Sequence, residues 1–169
     1  MPKPLSNDHA PYFSKYVDLV SSDDVCKAFA EQQLQLSAIF NAIPDSKADF
    51  AYAEGKWTVK QLLQHVIDAE RIFAYRALWI ARRAAEPLPG FDENAFAEIA
   101  DVSNRTLQDL KNEFIAVRNS TMALFNSFTN EDLQRRGISN TKEITVNALG
   151  FITIGHLIHH YNILKERYL

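Results

Sequence analysis

Apolar residues recur at three- and four-residue steps over four long stretches of this chain, and no stretch alternates as a strand would. That periodicity admits helices packed on helices and little else. Ser21-Ser22-Asp23-Asp24 opens the first run, in which Val25, Phe29, Leu36, Phe40 and Ile43 share a face until Pro44 ends it. Thr58 and Gln61 form a capping box, flanked by Trp57 and Leu62 as a hydrophobic staple, so a second helix starts there. Its face carries Leu62, His65, Ala69, Ile72, Phe73, Arg76 and Ile80, and it should end at 83–86, before Pro87 and Pro89. Ser103 is the expected cap of a third helix through Leu107, Leu110, Phe114, Val117, Thr121, Leu124 and Phe125. Thr145 caps the last, which runs from Val146 nearly to Leu169.

Short helices are expected over Glu93–Ile99 and from Thr129, and residues 137–142 read as a polar loop. The expected fold is therefore all-α, an up-down four-helix bundle with short extra helices in the connections. Its 169 residues, 47% hydrophobic, suit one domain over 1–169. Residues 1–20, with Pro2, Pro4 and Pro11 followed by Tyr12, Phe13 and Tyr16, read as an extended arm whose aromatics lie on the body.

A net charge of -3 without a basic patch argues against nucleic acid as partner. Cys26 is the single cysteine, so no internal disulfide forms. With no apolar run of the ~20 residues that span a bilayer, and no signal-like start, the expected place is the cytoplasm, away from membranes.

His156 and His160 stand four residues apart, one helical turn, on a face otherwise lined by Leu149, Ile152, Thr153 and Ile163. Two neutral imidazoles so placed can chelate a divalent metal. His65 lies on the apolar face of the second helix. Three inward histidines would each need a buried partner, whereas one ion satisfies a nitrogen of all three. Three neutral ligands leave positions open, as a catalytic site requires. Asp68, within about 60° of His65 on the helical wheel, is the best-placed acid to serve as general base or to orient a ring, whereas Glu70 falls on the far, solvated side. Gln32, central in its apolar stripe, Gln61, and His159, which flanks the pair, are candidates to support the ligands. Arg76 and Arg167 stand about three turns away, some 15 Å along the axis, which suggests structural pairing.

The run from Glu54 to Arg71 around His65, the segment Pro89-Gly-Phe-Asp-Glu, and Gly155-His-Leu-Ile-His-His160 together resemble the DinB-like superfamily over nearly the whole chain. The resemblance implies a four-helix bundle holding nickel or zinc on His65, His156 and His160, often as a dimer. It also implies a small-molecule substrate and metal-dependent hydrolysis. The alternatives are transfer of a low-molecular-weight thiol at the same site, or a non-catalytic, metal-stabilised binding module. A homodimer is expected on a second ground. Phe151, Ile154, Ile158 and Tyr161 form an apolar strip opposite the histidines, which either the arm or a second copy must cover.

Overall fold

The computed structural model describes residues 1–169. A 3-10 turn at Pro11–Phe13 leads into α1 (Ser14–Val17), and then come α2 (Val25–Asn41), α3 (Val59–Ala81), α4 (Glu93–Ile99), α5 (Leu107–Asn126) and α6 (Asn130–Gln134). Strands β1 (Arg136–Ser139) and β2 (Lys142–Thr145) precede α7 (Val146–Arg167). The expected four-helix bundle is formed by α2, α3, α5 and α7.

Local chemistry sets most helix starts. Asp24 caps α2 through Lys27 N–H, and Thr58 and Gln61 exchange both bonds of the capping box at α3. Thr145 caps α7 through Ala148 N–H. The start of α5 is the exception: Thr106, not Ser103, is its cap, because Asp109 three residues on completes a capping box there.

The order of the helices departs from a plain up-and-down path. Contacts Trp57–Tyr168 and His65–His160 make α3 antiparallel to α7. Arg105–Gln64 and Arg118–Glu70 make α5 parallel to α3. Cys26–Phe125 and Lys111–Ile43 make α2 antiparallel to α5. Two consecutive long helices thus point the same way, so the segment 82–106 must return the full length of the bundle, and α4 lies on that return path.

The return path also explains a hairpin that periodicity missed. Residues 136–145 pair as an antiparallel hairpin, Ser139 opposite Lys142, not as a loop. Asn140 and Thr141 both have positive φ, +49° and +63°, the conformation of a two-residue type I′ turn. Asn-Thr lacks the glycine that usually announces such a turn. The hairpin is held from outside: Leu88 on the return path donates to Ile138 O and accepts from Asn140 N–H.

The core divides at mid-height into a cluster of 21 buried residues and another of 15. Each helix passes from one to the other at a polar residue: Gln32 between Phe29 and Leu36, Glu70 beside Ala69, Arg118 between Phe114 and Phe125, His156 between Ile154 and Leu157. The arm is not extended throughout: its 3-10 turn and α1 coil at Pro11–Val17 and close the outer side of α7. The backbone of Tyr16 lies so close to Gly155 that a Cβ there would stand 2.0 Å from Tyr16 O. Phe151 and Ile154 of the apolar strip are consequently buried within this chain and Ile158 partly so, while Tyr161 is half-buried against the second core cluster. The arm covers most of the strip and the core takes the rest, which removes that ground for a second copy. No helix is long and apolar enough to cross a membrane.

Candidate metal centre

His65 comes from the second turn of α3, whose register the Thr58 capping box sets, and His156 and His160 come from successive turns of α7. Because the two helices pack antiparallel, the three rings meet. Their Nε2 atoms form a near-equilateral triangle, 3.1 Å for His65–His156, 3.2 Å for His65–His160 and 3.1 Å for His156–His160.

These three contacts cannot all be hydrogen bonds. In a neutral imidazole each ring nitrogen is either a donor or an acceptor, never both. Of three such atoms at least two are alike, so at least one contact sets two lone pairs or two N–H groups against each other. A cation between the rings removes the conflict by taking a lone pair from each. The spacing suits this: three nitrogens about 2.0–2.1 Å from one ion at near-tetrahedral angles stand roughly 3.3 Å apart. The Nδ1 atoms would then carry the protons, and Nδ1 of His160 is buried without a partner.

The electrostatics keep the rings in the ligating form. Burial, followed by the charge of His159, lowers His65 to about 4. Burial and then the neighbouring rings lower His160 to about 2 and His156 well below the usual 6.5. Trp57 lies 4.7 Å from the His65 ring, and Tyr16 and Phe73 lie 5.3 and 5.6 Å from the His156 ring. These aromatic walls are what withdraw the rings from water.

The triangle opens on a cavity of about 380 Å³. The arm contributes Tyr12, Lys15 and Tyr16, α3 contributes Phe73 and Arg76, the return path Phe91 and Glu93, and the hairpin Asn140, Lys142 and Glu143. His159 lies on its wall, 5.2 Å from the Tyr16 ring. Burial raises Tyr12 to about 12, reinforced by Tyr16 and Glu93.

The remaining sequence candidates stand elsewhere. Asp68 accepts from Gln64 at 2.9 Å and lies 3.7 Å from Arg71, both on its own helix and outside the cavity lining. Gln61 is committed to the helix cap. Gln32 donates to Ile154 O and accepts from Arg118. Glu70, expected in water, is 2% exposed and holds Arg118 through two 2.8 Å bonds. The wheel assumed one buried face for α3, but this helix packs on α7 and α5 together and buries a wider arc. Arg76, expected three turns off, lines the cavity: helical side chains lean toward the N-terminus, which for Arg76 means back toward His65. Arg167 pairs loosely with Glu166 at the surface. Tyr12, Glu93 and Lys142 were invisible to periodicity because folding alone brings the arm, return path and hairpin to one place.

Residues 28–164 match the model of the DinB superfamily. A Bacillus subtilis (strain 168) protein named "Putative metal-dependent hydrolase YfiT" is 26% identical over 154 residues, 85% of this chain and 82% of its own length. A Bacillus pumilus (strain SAFR-032) protein named "Putative metal-dependent hydrolase" is 36% identical over 73 residues, 43% of this chain and 41% of that relative. Among solved structures, YfiT from Bacillus subtilis, described as a probable metal-dependent hydrolase with an unusual four-helix bundle topology, has a TM-score of 0.68 at 20% identity, over 97% of this chain and 90% of that one. A DinB-like protein, YjoA of Bacillus subtilis, has a TM-score of 0.58 at 19% identity, over 85% of this chain and 89% of that one.

Proposed function

The chain belongs to the DinB superfamily, and from that premise we propose that it is a metal-dependent hydrolase acting on a small molecule bound in the cavity beside His65, His156 and His160. The observation that carries this reading is the triangle of Nε2 atoms, whose contacts no arrangement of neutral-ring protons satisfies. The names of the relatives support it.

A zinc or nickel ion on the three histidines would keep open positions and supply a bound water of lowered pKa, or polarise a carbonyl. The chain's own groups do the rest. Trp57, Phe73 and Tyr16 exclude solvent from the rings and hold them in place. Glu93 and Glu143 are the carboxylates on the cavity wall and take the place of Asp68 as candidates to accept a proton. The Tyr12 phenol, with its pKa at about 12, stays protonated at neutral pH and can donate to a developing oxyanion.

Elemental analysis followed by an ester and amide panel tests the reading. We expect about one zinc or nickel per chain, as three converging ligands imply, and hydrolysis lost on chelation and restored by the metal. Full hydrolysis by stripped protein would overturn the mechanism. Turnover only with an added thiol would replace hydrolysis by thiol transfer at the same site.

A further inference from the structure

Five acidic or basic side chains other than histidine are buried in this protein: Lys60, Glu70, Arg76, Arg118 and Asp132. Four have an opposite charge within 4.0 Å: Lys60 has Asp49 at 2.7 Å, Glu70 and Arg118 have each other, and Asp132 has Arg135. Arg76, 6% exposed, has none. Its Nη2 donates to Pro89 O at 2.8 Å, and its guanidinium carbon lies 5.7 Å from the centre of the Phe91 ring. These contacts orient the fork without neutralising it. A buried charge with no counter-charge is costly unless something supplies one, and the side chain lines the cavity that the three histidines share.

We propose that Arg76 binds a carboxylate of the substrate, at the far end of the cavity from the reacting group. The inference rests on the reading of the cavity as a substrate site and names the class of substrate it takes: a small molecule with a carboxylate at one end and the reacting bond at the other. A carboxylate matches the planar guanidinium fork. The wall charge favours an anion even before a metal is counted, because Lys15, Arg76 and Lys142 face only Glu93 and Glu143. Arg76 stands eleven residues beyond His65, roughly 16 Å of helical rise, shortened by the backward lean of its side chain. Anchor and reacting group are therefore separated by several bonds, so anchoring contributes binding energy remote from the chemistry.

The test uses zinc-loaded protein and linear dicarboxylates from succinate to sebacate, each against the monocarboxylate of equal chain length, by titration calorimetry. One acid group can take an open metal position while the other reaches Arg76. One diacid should bind at least about tenfold tighter than its monoacid. Arg76→Gln should erase that preference, and Arg76→Lys should keep part of it. Melting temperature and zinc content show that each variant is folded. Should Arg76→Gln melt early, the lysine variant decides. A wild-type protein that prefers no diacid, or an Arg76→Gln variant that keeps the preference, overturns the proposal. Metal-free protein separates the two readings. If an Arg76-dependent carboxylate affinity survives stripping and zinc adds nothing, the metal reading fails and the anchor stands. If monoacids bind only with zinc and Arg76 is immaterial, the metal reading stands and the anchor falls.

Discussion

Two polar clusters lie at the waist of this bundle, and they are built on opposite rules. In the first, Arg118 is fully buried and each of its three guanidinium nitrogens has a partner: Glu70 takes two of its N–H groups, Gln32 takes a third, and Phe29 and Phe114 lie against its guanidinium at 5.3 and 5.0 Å. Gln32 closes the set by donating to Ile154 O. Each polar group there meets its complement. In the second, three nitrogens of one kind converge, the partnered groups are too few, and a cavity lies alongside. Burial alone does not distinguish them, since both lie in the same layer. Complementarity does: a partnered cluster holds helices in register, whereas a cluster of like groups is complete only with a ligand.

The most damaging change should fall on the partnered cluster. Glu70→Ala leaves Arg118 charged and unpaired and should cost about 3–5 kcal/mol in urea unfolding, while Glu70→Leu with Arg118→Met should recover most of it. A loss under about 1 kcal/mol for Glu70→Ala would mean that the pair is not the closed unit described. In the histidine cluster the gain should come from outside. Zinc or nickel at a hundredfold its Kd should stabilise the protein by about 2.7 kcal/mol, raising Tm by roughly 5–10 °C. His156→Ala or His160→Ala should remove that increment along with stoichiometric metal. A melting curve that ignores the metal would break the contrast.

Acid should act next, and on the metal-free protein. The folded pKa of His65, about 4, and of His160, about 2, lie below the unfolded value near 6.5. Between those values the unfolded chain binds protons that the native rings refuse. The stability is therefore intact above pH 6.5 and is lost as pH falls, down to about 4 for His65 and on toward about 2 for His160, at up to ~1.4 kcal/mol per ring and pH unit. Metal release should likewise have its midpoint below pH 6.5, because the rings stay neutral there. Stripped protein whose urea midpoint is flat from pH 7 to pH 5 would contradict the burial of these rings. The smallest effect belongs to His159→Ala. This ring sits on the cavity wall, outside the triangle, so metal affinity should change less than about tenfold and stability within about 1 kcal/mol. A loss equal to that of His160→Ala would move the ligand set.

Sequence alone determined what depends on neighbours in the chain. Thr58 with Gln61, Asp24 and Thr145 place three of the four long helices, since a cap is satisfied by N–H groups two or three residues away. The four-residue step from His156 to His160 puts two rings on one face by helical geometry, and His65 could be matched to them because it lies on an apolar face. Tertiary structure decided whatever depends on which helix lies beside which. Glu70 looked solvated from a single wheel and is buried because α3 packs on two helices at once. Asp68 shared the wheel sector of His65 and pairs along its own helix with Gln64 and Arg71 instead. The hairpin at Asn140-Thr141 needed Leu88 of the return path to pair its outer edge. The strip on α7 found most of its cover in the arm, and Arg76 entered the cavity because its side chain leans along the helix toward the histidines. Periodicity reports the angle of a side chain around its own axis. What stands at that angle, water, an acid or a second helix, is fixed only when the whole chain packs.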